Sequence, residues 1–264
     1  MPKSRKFGLI IVGDEILSGR RQDKHLSKVI ELLSARGMDL SWARFIGDDL
    51  DELVRIYRET FASGDIVFST GGIGATPDDK TREAAAKALG VPLVLHPEAE
   101  ALIMEYVMSR AAIGKIDQDM GAPENQRRLA MGVFPEGAEI VPNFYNRIPG
   151  FFIKDHTFVP GFPEMAWAMF EWVLDNKYLA LQNNPTKTLA VNVYHIPESR
   201  IAPSLEEIES RWPDVTTFSL PKMAQGDTPG FIDLGVKGKN ESSLKEAYDF
   251  LRGEVLRVGG RFSF

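Results

Sequence analysis

The first part of the chain alternates short apolar runs with amphipathic stretches. Continuous apolar residues occupy positions 7–12 and 66–68, and a mixed apolar stretch covers positions 40–46. Between these runs apolar residues recur every three or four positions, as at Leu26 and Val29, which is typical of a helix with one buried face. A continuously apolar strand indicates a parallel sheet covered by helices on both faces. The pattern therefore predicts a three-layer α/β fold around a mostly parallel sheet.

The pattern changes near the middle of the second half of the chain. Residues 182–186 (QNNPT) are polar and contain a proline, as is typical of a linker. Residues 187–264 then follow the order strand, helix, strand, strand, helix, strand, which fits a small α+β ferredoxin-like domain. We therefore expect a larger domain at residues 1–181 and a smaller one at residues 187–264.

A glycine-rich turn follows the third apolar run. Residues 71–79 read GGIGATPDD, and an alanine-rich helical stretch begins near Thr81. The order strand, glycine turn, helix places backbone N–H groups beyond the carboxyl end of a strand and at the positive end of a helix. This arrangement favours a phosphate site, although a plain strand–helix turn has the same order. The spacing differs from the dinucleotide-binding fingerprint and lacks the Lys-Ser/Thr ending of a P-loop.

Acidic residues follow the strand ends on the same side of the predicted sheet. Asp14 and Glu15 come directly after the first strand, and Asp78 and Asp79 end the glycine turn. Because the carboxyl ends of parallel strands meet at one edge, we expect these four carboxylates on one rim. Next to a phosphate they would need a divalent cation between them. For Asp79, capping of the following helix is the alternative to a metal role.

Composition excludes several classes of protein. The net charge is −6 and there is no long basic run, so neither nucleic acid nor an anionic membrane is an expected partner. The absence of cysteine excludes disulfides, thiolate metal sites and a cysteine nucleophile. No stretch approaches the roughly 18 apolar residues of a membrane span, and the first apolar run is too short for a signal peptide. We therefore expect a cytoplasmic protein.

Four motifs in one order give the chain a resemblance to a known family. They are Gly13–Gly19 (GDEILSG), Gly47-Asp48, Thr70–Glu83 (TGGIGATPDDKTRE) and Pro160–Met165 (PGFPEM). The first 180 or so residues resemble the molybdopterin-binding-type domain of molybdenum-cofactor biosynthesis proteins and of the competence/damage-inducible protein CinA, most closely the CinA N-terminal region. The segment after the linker is similar to the small domain that follows in CinA proteins.

The resemblance implies an activity as well as a fold. It implies a phosphate loop at GGIG and a role for Asp79 in coordinating Mg²⁺ or a similar cation, such as Mn²⁺ or Co²⁺. CinA-like members imply hydrolysis of nucleotide pyrophosphates such as ADP-ribose or FAD, whereas the cofactor-synthesis members imply molybdopterin binding or adenylylation. Family members form dimers or trimers, so self-association is expected. The deamidase domain of longer CinA proteins has no room in these 264 residues, and deamidase activity is not expected.

Two positions depart from the family pattern. GDEILSG stands where CinA usually has a threonine before the glutamate. Residues 146–150 (NRIPG) stand where CinA has Gly-Thr-Ala-Pro-Gly, which places the bulky cation Arg147 where the family keeps the rim small. Arg147 could alter the substrate or mark the loss of the original activity.

The leading hypothesis is a cation-dependent hydrolase of nucleotide pyrophosphates. The alternatives are molybdopterin binding or adenylylation, and a non-catalytic nucleotide- or pterin-binding module. Asp79 and Glu15 are the catalytic candidates, and Asp79 and Asp78 the metal candidates. The candidates for binding the substrate are Gly71, Gly72, Ile73, Gly74, Ala75, Thr76, Thr81, Asn125, Gly161 and Glu164.

Two further groups of residues are expected to have structural roles only. The histidines lack metal-binding spacing and are expected in ordinary surface or core positions; they are His25, His96, His156 and His195. The aromatic residues near the last helix of the larger domain are expected to pack that helix; they are Phe162, Trp167, Phe170 and Trp172.

Overall fold

The structure, a computed structural model, describes residues 5–225 and 229–263. The chain forms two compact units, which divide between Gln182 and Asn183. Each unit has its own sheet and its own hydrophobic core. Among the described residues, no helix is long and apolar enough to cross a membrane.

The first unit is built around a six-stranded sheet with the order β2-β1-β3-β8-β7-β6. Its strands, together with the separate pair β4–β5, are β1 (Phe7–Val12), β2 (Leu40–Ile46), β3 (Ile66–Thr70), β4 (Leu93–Leu95), β5 (Val133–Pro135), β6 (Glu139–Val141), β7 (Gly150–Ile153) and β8 (His156–Val159). Strands β2, β1, β3 and β8 are mutually parallel, whereas β7 runs antiparallel between β8 and β6. The predicted mostly parallel sheet is confirmed.

Helices cover both faces of this sheet. They are α1 (Asp14–Leu17), α2 (His25–Ser34), α3 (Leu50–Ser63), α4 (Thr81–Leu89), α5 (Pro97–Ala111), α6 (Pro123–Ala130) and α7 (Pro163–Lys177). One core lies between the sheet and helices α2 and α7, and includes Phe68 and Phe170. The other lies on the opposite face against α3 and α4, and includes Tyr57 and Phe158. Two cores on opposite faces give the predicted three-layer α/β architecture.

The register of the parallel strands brings four strand ends together. Val12 of β1 lies beside Ile46 of β2, Ile11 lies beside Thr70 of β3, and Thr70 lies beside Val159 of β8. The segments that leave these strands therefore start side by side at the carboxyl edge of the sheet, where ligands bind in open α/β folds.

The second unit is a four-stranded antiparallel sheet with two helices. Its elements are β9 (Lys187–Tyr194), α8 (Glu198–Arg211), β10 (Val215–Lys222), β11 (Phe231–Gly238), α9 (Glu241–Arg257) and β12 (Arg261–Ser263). The strand order β10-β11-β9-β12 is that of a ferredoxin-like fold, as the sequence predicts. Phe264, placed by the sequence pattern in the last strand, lies outside the described residues.

Candidate functional site

A cavity of about 510 Å³ lies where the four parallel strands end. Its lining comes from the segments that follow β1, β2, β3 and β8. The volume lies within the range of small-molecule sites in proteins, about 300–1,000 Å³. The sheet topology therefore places the candidate site where the sequence predicts one.

The structure brings some of the predicted site residues to this cavity and leaves others outside its lining. Those that line it are Glu15, Gly71, Gly72, Asp78, Asp79, Gly161 and Glu164. Those outside the lining are Ile73, Gly74, Ala75, Thr76, Thr81 and Asn125. Ile73 is buried and packs in the core between the sheet and helices α3 and α4. Ala75 and Thr76 are exposed on the outer part of the glycine loop.

The glycine loop, which we define as residues 71–79, needs glycine for steric reasons at its start. Gly71 and Gly72 have φ angles of 97° and 68°, in the left-handed region. A Cβ atom at Gly71 would collide with the carbonyl oxygen of Val12, and one at Gly72 would collide with the hydroxyl of Thr81. The first two glycines of the motif therefore allow the loop to pass directly over β1 and the start of α4.

Two side chains of helix α4 fix the carbonyl groups of the glycine loop. The Thr81 hydroxyl donates to the carbonyl of Gly71 at 2.9 Å, and the Thr81 N–H donates to the carbonyl of Gly72 at 3.0 Å. The Arg82 guanidinium donates to the carbonyl of Gly74 at 2.5 Å. Thr81 is fully buried. The prediction that Thr81 touches the substrate is therefore wrong, because its side chain holds the loop from beneath.

The Asp79 carboxylate is bound by the loop itself. It accepts hydrogen bonds from the N–H of Gly74 at 2.8 Å, from the N–H of Thr76 at 2.7 Å, and from the Thr76 hydroxyl at 2.5 Å. It does not cap helix α4, whose N-cap is Lys80 without a side-chain hydrogen bond, so the capping alternative is wrong. A metal role for Asp79 stays a prediction, and the loop's donors compete for the same carboxylate oxygens.

Other loop amides have no internal acceptor. Within the described part of the chain, the N–H groups of Gly72, Ile73 and Ala75 make no hydrogen bond. Of these three residues, Gly72 lines the cavity. Gly72 therefore carries a backbone donor without an internal acceptor and lines the cavity, where a ligand oxygen can accept from it.

Positively charged side chains come from the segment that follows α1 and ends at the first residue of α2. We call it the cationic segment (residues 20–25, RRQDKH). Arg20, Arg21 and Lys24 all line the cavity. Asp23 also lines the cavity, and it caps helix α2 by accepting from the N–H groups of His25 and Leu26 at 2.9 and 3.0 Å. This stretch is polar and was not singled out from the sequence; three cations in five residues, directly after the first strand and its acidic turn, were the available signal.

His25 joins the cationic segment to the turn after β8. It is buried, and its Nε2 lies 3.4 Å from the carbonyl oxygen of Gly161. Burial lowers the pKa of His25 below its ordinary value. His25 is thus a core residue, as expected, but one that also lines the cavity.

Phe162 differs from its expected packing role. Its side chain is 54% exposed and lines the cavity, whereas Phe170 of the same aromatic group is fully buried against the sheet. Phe162 precedes helix α7 and so lies outside the packed face of that helix. The helical spacing of the other aromatic residues concealed this difference.

Several carboxylates lie close enough together at the cavity to repel one another. Burial raises the pKa of Asp48 above its ordinary value, and three neighbouring carboxylates raise it further. Those carboxylates belong to Asp14, Glu15 and Asp78. Asp48 also accepts a hydrogen bond from the N–H of Asp14 at 2.9 Å. Among the described residues, no group of three or more His, Cys, Asp or Glu side chains is placed to hold a metal ion.

Two other residues from the sequence analysis contact other parts of the protein instead of lining the cavity. Asn125 is fully buried and donates to the carbonyls of Asp117 and Asp119 at 2.9 and 2.8 Å, so it holds the turn before α6 rather than a ligand. Arg147 lies outside the cavity lining and pairs with Glu105 of helix α5 at 2.8 Å. The expectation that Arg147 crowds the rim of the site is therefore wrong.

The family is shown by comparison with known proteins. Residues 8–180 match the model of a family described as the probable molybdopterin binding domain. The chain belongs to this family. The match covers the first unit almost completely, including every segment that lines the cavity.

Similar proteins agree with this assignment. A protein from Pyrobaculum calidifontis is 31% identical over 227 residues, which are 84% of this chain and 82% of that protein. A CinA-like protein from Desulforapulum autotrophicum is 28% identical over 257 residues, which are 93% of this chain but only 58% of that protein. The chain thus spans little more than half the length of that CinA-like relative.

A solved structure has a similar fold. The crystal structure of the protein CinA, of unknown function, from Thermoplasma acidophilum is 26% identical and has a TM-score of 0.55. The matched region covers 65% of this chain and 98% of that one. The resemblance to the CinA N-terminal region is confirmed.

Proposed function

We propose that the cavity binds a phosphate-bearing pterin of the molybdopterin type, with or without transfer of an AMP group. The observation that carries the proposal is the meeting of three cations with a free loop amide: Arg20, Arg21, Lys24 and Gly72 line one cavity. Such a set of donors binds phosphate oxygens. Membership in the family of the probable molybdopterin binding domain supports the pterin as the ligand class.

Each element of the site contributes a different interaction with such a ligand. The Gly72 amide, at the start of the segment leading into α4, would donate to a phosphate oxygen. The cationic segment, which lines the same cavity, would neutralise the phosphate charge. Gly161 lies against the glycine loop: a Cβ atom at Gly161 would stand 3.4 Å from the Cα atom of Gly71. The turn after β8 therefore closes the cavity next to the phosphate position.

Ligand retention during purification tests this proposal. The protein purified under native conditions should release a fluorescent pterin on acid treatment. The double variant Arg20→Gln, Lys24→Gln should release far less, since it removes two charges from the phosphate position. A control variant, Lys28→Gln, lies one turn further along α2 and should retain the wild-type amount. Absence of pterin from the wild type, together with no thermal shift on adding pterin phosphates, would contradict the proposal.

A second candidate function is hydrolysis of nucleotide pyrophosphates such as ADP-ribose or FAD with a divalent cation. It is favoured by the crowded carboxylates around Asp48, because a bound cation stabilises like charges that lie close together beside a cavity. Glu15 and Asp78 line the cavity and would hold the ion. Mg²⁺ keeps several waters and needs only one or two carboxylates plus substrate phosphates, so the donor set suffices. The bound cation would neutralise phosphate charge and polarise water.

Turnover assays separate the two candidates. ADP-ribose and FAD should be tested with Mg²⁺, Mn²⁺ and Co²⁺, and with an active CinA-type protein as the reference. Cation-dependent AMP release that is lost in Glu15→Gln would support hydrolysis. Ligand binding without any turnover would instead support the binding function, as in a non-catalytic module.

A further inference from the structure

Phe162 is an exposed aromatic residue at a polar cavity. It directly follows Gly161, which lies against Gly71 at the start of the glycine loop. Its side chain is 54% exposed and lines the cavity. A half-exposed ring at the wall of a cavity is available to contact a ligand.

Arg21 lies beside that ring. Its guanidinium carbon is 5.4 Å from the centroid of the Phe162 ring, within the range of a cation–π contact. The Arg21 N–H donates to the carbonyl of Glu15 at 2.9 Å, which holds its backbone in place. Its guanidinium is 3.9 Å from the Glu15 carboxylate, a distance too long for a close hydrogen-bonded pair. About 40% of the Arg21 side chain is exposed, so the guanidinium can also contact a ligand.

Phenyl rings and guanidinium groups share one recognition property. Both have flat faces, and both stack on planar heteroaromatic rings. Here they lie together at one wall of the cavity, and the residues proposed to bind phosphate, Lys24 and Gly72, line the same cavity. The site thus has a flat-ring region next to an anion region.

We propose that Phe162 and Arg21 hold the planar heteroaromatic ring of the ligand, purine or pterin, while its phosphates lie at the glycine loop and the cationic segment. This assignment rests on the proposed function, which places the phosphate of the ligand but assigns no residue to its ring. It adds that the site selects ring-bearing phosphates over ringless ones.

Paired probes test the ring region separately from the phosphate region. ADP carries a planar ring and two phosphates, whereas inorganic pyrophosphate carries only the phosphates. Calorimetry should show that Phe162→Leu weakens ADP binding about tenfold, as expected for loss of one ring-stacking contact, and changes pyrophosphate binding less than twofold. Arg21→Lys keeps the charge but loses the flat guanidinium, so it should also weaken ADP more than pyrophosphate. Phe162→Trp should retain ADP binding.

A matched control is available in the same unit. Phe144 is 67% exposed and lies outside the cavity lining, so Phe144→Leu should affect neither probe. Equal losses for both probes in Phe162→Leu, or no loss for either, would overturn the ring assignment. Wild-type binding of pyrophosphate but not ADP would overturn it while leaving the phosphate site intact. Binding of neither probe would overturn the phosphate site and the ring assignment together.

Discussion

The glycine loop and the cationic segment line the same cavity, but they differ in how firmly their side chains and backbone are held. The loop is held by its own backbone and by side chains of α4, which bind the carbonyls of Gly71 and Gly74, and the Asp79 carboxylate accepts hydrogen bonds from within the loop. The cationic segment is anchored at Asp23 and His25, while Arg20 and Lys24 extend as exposed side chains. The loop therefore fixes geometry, and the segment supplies the charges that recognise a ligand. Substitutions in the loop should affect stability, and substitutions in the segment should affect affinity.

The largest expected effect is on the start of the loop. Gly71→Ala requires a strained left-handed backbone and a collision with the Val12 carbonyl, so the unfolding free energy should fall by about 3 kcal/mol or more. Gly90→Ala is the control, since Gly90 also has a positive φ but nothing within 4 Å of a Cβ atom. It should cost about 1 kcal/mol. Urea unfolding measures both.

Equal losses in these two variants would show that the contact with β1 contributes nothing. The loop would then be a flexible turn rather than a fixed scaffold, and the contrast with the cationic segment would disappear.

A smaller loss of stability is expected inside the loop. Asp79→Ala removes three hydrogen bonds to a carboxylate and should lower the unfolding free energy by about 2 kcal/mol. Asp78→Ala is its neighbour control and should change stability little, because that side chain is exposed. If Asp78→Ala were the more destabilising of the two, the stabilising role assigned to the Asp79 hydrogen bonds would be wrong.

The sequence predicted the fold well because the relevant signals are local. Continuous apolar runs mark β1 and β3 as buried on both faces, and the structure buries every residue of both strands. The cap of α3 is local as well: Asp49, of a residue type that favours this position, accepts from the N–H of Glu52 at 2.8 Å. Ile30 shows the limit, since it fits the helical period of α2 yet is exposed. Periodicity does not give the width of the buried face.

The site was predicted less completely, because it depends on side-chain direction. Glycine spacing identified the loop, but Thr81 and Asn125 proved to be buried supports rather than ligand contacts. Lys24 and Phe162 were missed because one lay in a stretch that read only as polar and the other in an aromatic run that suggested packing. The meeting of these residues depends on the register of β1, β3 and β8, which brings distant segments side by side.

Substitutions in the cationic segment should change the affinity for a ligand rather than the stability of the protein. Lys24→Gln removes one charge from the cavity wall and should weaken pyrophosphate binding about fivefold, since a single charged hydrogen bond is lost. Its unfolding free energy should stay within about 0.5 kcal/mol of wild type, as for other surface substitutions. Lys28→Gln should change neither quantity beyond these limits, because Lys28 pairs with Glu31 outside the cavity lining. Calorimetry and urea unfolding give the two readouts.

The smallest expected effect concerns the pH dependence of stability at the anchored end of the segment. Burial lowers the pKa of His25 in the folded state, so the unfolded chain takes up a proton first, near the ordinary value of about 6.5. The contribution of neutral His25 to the unfolding free energy should therefore be fully present above that pH and should fall as the pH drops from there toward the folded-state pKa. His25→Gln should make the fall shallower, since glutamine does not titrate.

Buried His156, whose pKa is lowered to about 4, adds a background slope of the same sign in every variant. His195→Asn, at an exposed position, should keep the wild-type slope. An unchanged slope in His25→Gln would mean that the segment is not anchored through a neutral histidine.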